Sequence, residues 1–335
     1  MQHSIDHILV THGIEPVLVD IGASGGSPKI WQSIRAHSTY VGFDGDDRDI
    51  RHPQQLEFRR AHFVHEVITP NGDQEITFYL TRSPYCCSTL RPNPLVTENF
   101  LSADSFIVER EARMQASNLG QVLDRLSLDR IDWMKIDTQG TDLRIYSSLR
   151  HEIRNRMLAI DAEPGLRGAY VGEDLFCDVH KQLVADGFWL SNLKVCGLVR
   201  MRKSTLAELA AADGGFDPES VARSVRPTPG WTECRYLRSL ESLANLSGER
   251  RDYLLLWVFA LIDQQWGFCM DLALEYARRF GPDEAADFIR RESIGHLVTA
   301  RSAVMARSQN PGKTGVEVTL FGRVKRRVRR VLSGG

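Results

Sequence analysis

The chain has 335 residues, 42% hydrophobic and 25% charged, enough for two domains or one domain with an extension. A net charge of -1 gives no global attraction to nucleic acid, and the longest apolar run, Tyr253 to Ile262, is about ten residues, too short to span a bilayer. Six cysteines with no CxxC pair argue against a thiolate metal site and for reduced thiols in a cytoplasmic protein, and the start MQHSIDHILVTHG lacks a signal peptide's basic and apolar regions.

In chain order, Val17 to Ile21 is short, β-branched and continuously apolar up to an acid, which predicts a buried strand. A helix is predicted for Pro28 to His37 and a second strand for Thr39 to Phe43. A third strand within Phe58 to Ile68 and another in EITFYLT flank the Asn71-Gly72 turn signal and suggest a hairpin. Pro84 to Asn99 reads as a loop. Beyond it, Asn118 to Leu126, Asp142 to Arg150 and Glu173 to Asp186 read as helices. They alternate with strands at Ile131 to Ile136, Met157 to Ile160 and Phe188 to Leu193. Gly214 to Pro229 reads as a long loop and Thr232 to Leu237 as a last strand. After Leu240 the pattern is helical, over 252–265, 270–280 and 284–307, with Gly281-Pro282 as a break. Strand alternating with helix over 17–195 predicts a doubly wound parallel sheet, whose ligands sit at the carboxyl ends of the strands.

The stretch DIGASGG places Asp20 at the first strand end, followed by Gly22, Ala23, Ser24, Gly25 and Gly26. These glycines do not have the G-x-G-x-x-G spacing of a dinucleotide loop, and a carboxylate there would repel a pyrophosphate. It would attract a donor that carries an ammonium and a sulfonium, so Asp20 and the loop Gly22 to Gly25 are read as a site for S-adenosyl-L-methionine. In YVGFDGDD, Asp44 and its neighbour Asp46 follow the second strand at the distance expected of an acid that accepts two ribose hydroxyls. Glu66 stands where an adenine is met. Asp137 ends the fourth strand of the alternating core, and Glu163 follows the next one. Either could remove a proton from an acceptor hydroxyl, and Asp137 could instead only orient the cofactor. Asp161 is the less favoured base: it falls on the same face as Glu163, so one of the two reads as an ion-pair partner. Arg82, Arg91 and Lys135 are candidates for an anionic substrate and equally for surface cations. No metal site is expected.

The segments DIGASGG, FDGD, SPYCCSTLRPN, IDWMKIDTQGTDLRIYSSL, AIDAEPGLRGAYVGEDLF and GWTECRYLRSL together resemble the successive motifs of FkbM-type methyltransferases, over about residues 15–240. The resemblance implies a class I methyltransferase (Rossmann-like) fold with a seven-stranded sheet whose last strand is antiparallel. It implies transfer from S-adenosyl-L-methionine to an oxygen of a sugar, glycan or natural product. It assigns Asp20, Gly22 and Gly25 to the cofactor loop, Asp44 to the ribose, Asp137 to the vicinity of the methyl group and Ser88 to a serine-rich loop near the cofactor. Many members carry an acid where Gln139 stands.

The expected division is a methyltransferase domain over 1–240, a helical extension over 241–311 that caps the cleft or forms a homodimer surface, and a basic tail over 312–335. In that tail the last fourteen residues hold six basic groups and no acid, with apolar residues at helical spacing that suit an anionic membrane face. The expected partner is a small-molecule or glycan acceptor, with no nucleic acid. Two rivals stand beside this reading: a non-catalytic scaffold of the same fold in glycan assembly, and an NAD(P)-dependent oxidoreductase.

Overall fold

The computed structural model describes residues 1–23, 26–45, 57–72, 74–246 and 248–309, with side chains to 306. Ten strands are described: β1 Val17–Ile21, β2 Thr39–Phe43, β3 Arg60–Val64, β4 Val67–Ile68, β5 Glu75–Thr81, β6 Val108–Ser117, β7 Trp133–Ile136, β8 Ala159–Ala162, β9 Phe188–Leu198 and β10 Thr228–Arg238. Seven of them form one mostly parallel sheet in the order β3-β2-β1-β7-β8-β10-β9, in which β10 runs antiparallel to both its neighbours. With helices on both faces, this is a mixed α/β architecture compatible with a Rossmann-like fold.

The sheet's two faces follow from strand alternation. Val19, Ile21, Met134, Ile136 and Ile160 point to one side, against the helices Leu119–Arg125, Asp142–Ser148 and Phe176–Ala185. Leu18, Tyr40, Trp133, Ala159 and Leu237 point to the other. The crossover from β1 to β2 is not the predicted helix but two 3-10 turns, Lys29–Ser33 and Arg35–His37, which bring Trp31 and Ile34 to this second face. So short a crossover leaves the face largely uncovered. The helix Arg250–Ile262 fills it, with ten consecutive residues from Tyr253 to Ile262 buried. A helix apolar all round is what a position between two layers requires. Phe259 packs on Trp133 with ring centroids 4.7 Å apart. Helices Trp266–Phe280 and Glu284–Gln309 close the outer side, and helix Gln2–Thr11 adds Ile5 and Ile8. A buried ion pair fastens the two layers: Arg251 donates to Asp132 at 2.8 and 2.7 Å, and Asp132 also accepts the Val17 amide at 2.8 Å.

Two further expectations about local structure are corrected. The strand before Asn71-Gly72 does not pair with β5. Instead β5 pairs antiparallel with β6, while β4 joins β6 in parallel as the third member of a small sheet. In this small sheet Leu80, opposite Arg110, and Ala116, opposite Val67, are buried. The stretch Gly214 to Pro229 contains the helix Pro218–Ser224, whose Asp217 cap accepts the Ser220 amide at 2.7 Å. Helix Lys203–Ala212, with no buried residue, and strand β6, with one, carry little of the apolar periodicity that reveals an element in sequence.

Candidate functional site

A cleft of about 460 Å³ lies across the carboxyl ends of β1, β2, β7 and β8 and reaches β10. Its size is within the range of small-molecule sites, ~300–1,000 Å³, and its place is where ligands of open α/β sheets bind. The chain turns sharply at each strand end. Gly22 has φ +81°, and a Cβ built on it would stand 2.1 Å from the Asp137 carbonyl oxygen, so only glycine fits between β1 and β7 here. The Gly22 and Ala23 amides both donate to the Phe43 carbonyl at 3.0 Å, which ties this turn to the end of β2 and to Asp44.

Of the sequence-predicted residues, Gly22, Asp44, Glu66, Asp137 and Glu163 line the cleft together. Ser24, Gly25 and Asp46 lie outside the described residues. Asp137 is held by Gln139, whose amide donates at 2.7 Å, and lies 3.7 Å from the Lys135 ammonium. The Gln139 amide oxygen lies 3.1 Å from the Tyr170 hydroxyl, so this side chain bridges Asp137 to the far wall. An acid at 139 would instead repel Asp137. Glu66 is engaged by Arg125 at 2.9 Å on both oxygens and by the Ser117 hydroxyl, which directs its carboxylate to the rim.

Asp20 is corrected. Its carboxylate is 1% exposed and does not line the cleft. Strand alternation decides this: Ile21 faces the cleft side, so Asp20 faces the C-terminal helices with Leu18. There it accepts the Tyr40 hydroxyl at 3.0 Å and pairs with the Lys135 ammonium at 3.5 Å. Burial pushes its carboxyl up to about 6, against the opposing pull of Lys135. Lys135 in turn is raised overall, because Asp20 and Asp137 outweigh the burial that lowers it. It is held as the cation between Asp20 and Asp137.

Ala23, 4% exposed, and Ser88, 0% exposed, also lie off the cleft wall. Ser88 staples the CCST loop to the turn after β7: its hydroxyl donates to the Gln139 carbonyl at 2.9 Å and accepts the Leu90 amide at 3.0 Å. The adjacent Cys87 and Thr89 line the cleft in its place. Among the described residues, none beyond Trp231 lines the cleft.

Glu163 differs from the other acids. No hydrogen bond to its carboxylate occurs among the described residues, while its backbone amide donates to Asp142 at 3.3 Å. Burial, then the neighbouring Asp137, push its carboxyl up to about 8, with Lys135 opposing. Asp142, also raised by burial, to about 7, accepts the Thr138 hydroxyl at 2.6 Å and so fastens the turn after β7 to the end of β8. Asp161 is an ion-pair partner, as read: Arg235 donates to it at 2.7 and 3.0 Å. Glu163 also borders a second hollow of about 400 Å³ on the other side of the strand ends, with Lys135, Lys194 and Glu233.

Sequence reasoning missed Arg167, Tyr170 and Glu173, all on the wall. The available signal was the run EPGLRGAYVGED, three glycines in a polar loop straight after a strand end. Gly165 matters most: a Cβ there would lie 1.8 Å from a Glu173 carboxylate oxygen. Among the described residues no group of three His, Cys, Asp or Glu could hold a metal ion, and no helix is long and apolar enough to cross a membrane.

Comparison with known protein-family models finds no match to this chain, and no curated protein matches it. The resemblance to FkbM-type methyltransferases thus rests on the motifs quoted above.

Proposed function

We propose that the protein is an S-adenosylmethionine-dependent O-methyltransferase acting on a hydroxyl of a sugar, glycan or natural product. The observation that carries this reading is the charge of the cleft. Its described wall holds five acidic side chains, Asp44, Glu66, Asp137, Glu163 and Glu173, of which burial raises the last two toward the neutral form, and one cation, Arg167. Two like charges 4 Å apart at an effective dielectric of 20 repel by ~4 kcal/mol, so a pyrophosphate fits this wall poorly and a cationic donor fits it well. The attraction comes from the wall as a whole, not from Asp20. A seven-stranded sheet with its last strand antiparallel also agrees with what the motif resemblance implies.

In this reading the Gly22 turn and Asp137 hold the amino-acid part of the donor and Asp44 its ribose. When bound, the donor supplies an electrophilic methyl carbon on a sulfonium. The protein's own tasks are alignment and proton removal. Glu163 takes the proton of the acceptor hydroxyl, since its carboxyl accepts no hydrogen bond among the described residues and is raised to about 8. Gln139 fixes Asp137 in its orienting role.

Titration calorimetry with S-adenosylmethionine, S-adenosylhomocysteine and NAD, followed by a tritiated-methyl transfer screen on glycans and small hydroxylated metabolites, tests this. Binding of the first two ligands and not the third is expected. Heat with NAD alone, or with none of them, would overturn the reading.

A further inference from the structure

Arg167 is the one cation on the described wall of an otherwise acidic cleft, and it has no acidic partner among the described residues. Its neighbours instead fix its shape. The guanidinium lies over the Phe100 ring, 4.5 Å from the centroid. One Nη donates to the Thr228 hydroxyl at 2.6 Å, and that hydroxyl is itself committed to the Leu198 carbonyl at 3.0 Å. A guanidinium carries five N–H donors in a planar fork, so most of the fork is uncommitted but already oriented. Burial, and then Arg200 nearby, lower its pKa, and no acid among the described residues compensates the charge.

Position separates Arg167 from the donor end. Gly22 and Asp44 follow β1 and β2, whereas Arg167 follows β8 and leans on β10, two strands beyond β7 on the opposite side from β1. Of the two wall acids nearest in sequence, Glu163 is pushed up to about 8 by burial, and Glu173, likewise raised by burial, spends its carboxylate on the Tyr170 amide at 3.1 Å. Little negative charge competes for the fork.

We propose that Arg167 receives an anionic group, a carboxylate or a phosphate, on the methyl acceptor; this rests on the reading of the cleft as a transferase site. The acceptor is then an acidic molecule, such as a uronic acid, an aromatic or aliphatic acid, or a phosphorylated sugar, whose hydroxyl is brought to Glu163 while its anion is held at the fork. A fork engages a carboxylate or phosphate through two parallel hydrogen bonds, which fixes direction as well as affinity.

The test is NMR on the full chain, labelled with 15N and saturated with S-adenosylhomocysteine, following the Arg167 Nε–H signal during separate titrations with benzoate and with inorganic phosphate. A saturable shift with at least one anion is expected, and which one responds identifies the carboxylate or phosphate source. Arg167→Gln should weaken that anion tenfold or more while S-adenosylhomocysteine affinity stays within twofold. Arg167→Lys, which keeps the charge and loses the fork, should weaken benzoate more than phosphate; an unchanged melting temperature in either variant shows that the fold is intact. No shift with either anion, or equal anion affinity in Arg167→Gln, overturns the proposal. So does a parallel loss of S-adenosylhomocysteine binding in Arg167→Gln, which would assign the guanidinium to the donor's own carboxylate. If the wild type binds the anion but not S-adenosylhomocysteine, the donor assignment fails and the anion site stands.

Discussion

The α-carbon of Gly22 faces the carbonyl oxygen of Asp137 so closely that a methyl group between them would stand 2.1 Å from that oxygen. This contact joins the ends of β1 and β7 and sets the floor of the cleft. Gly22→Ala adds both that clash and a left-handed backbone conformation unsuited to alanine, together at least ~2 kcal/mol. The expected outcome is a drop in melting temperature with loss of S-adenosylhomocysteine binding. A variant that melts and binds like the wild type would show that the turn is not built as described.

Asp20 and Asp44 should behave differently. Asp20→Asn keeps the Tyr40 contact and lies behind the wall, so donor affinity should change less than about threefold at 1.4 kcal/mol per decade. Asp44→Ala removes a wall carboxylate and should weaken the donor at least tenfold. Calorimetry on both variants checks this; the reverse ranking would return Asp20 to the binding surface.

Glu163 gives a pH dependence with a definite sign. Its folded value, about 8, lies above the ordinary 4.5, so the native state favours the protonated acid. That contribution to stability is fully present below pH 4.5 and is lost as the pH rises through about 8. Glu163→Gln should therefore match the wild type's melting temperature in acid and exceed it at pH 9. Methyl transfer by the wild type should rise as the carboxyl ionises towards pH 8, and the variant should lose that limb together with 10²-fold or more of its rate.

The pair Asp132–Arg251 links β7 to the buried helix Arg250–Ile262. Arg251→Ala leaves a carboxylate that is 0% exposed without its cation and should cost ~3–5 kcal/mol, read by urea denaturation. The double variant Arg251→Leu with Asp132→Asn should recover part of the loss.

Deleting everything after Arg238 should leave an insoluble or unfolded chain. Leu18, Trp133 and Leu237 share one apolar cluster with Tyr253 to Ile262, and each large side chain so exposed forfeits ~1.5–3 kcal/mol. A folded, donor-binding fragment would show that the sheet does not need these helices.

The sequence alone was enough for the strand-end geography. Buried strands declare themselves by continuous β-branched runs, and an acid or glycine that ends such a run must sit at the sheet's carboxyl edge. That local logic located Gly22, Asp44, Asp137 and Glu163, which the fold gathers in one cleft. It could not decide which side of β1 becomes the cleft side, since parity is set by what packs above and below. Asp20 and Ile21 are neighbours in the chain, yet one meets Lys135 under the C-terminal helices and the other borders the cleft. Nor could it pair β5 with β6 or bring the helix Arg250–Ile262 under β1 and β7, because such contacts join segments far apart in the chain. Arg167 is a similar case: the glycine-rich run around it marks a loop at a strand end, but only the acids elsewhere on the wall and the lack of an acidic partner among the described residues give its charge a task.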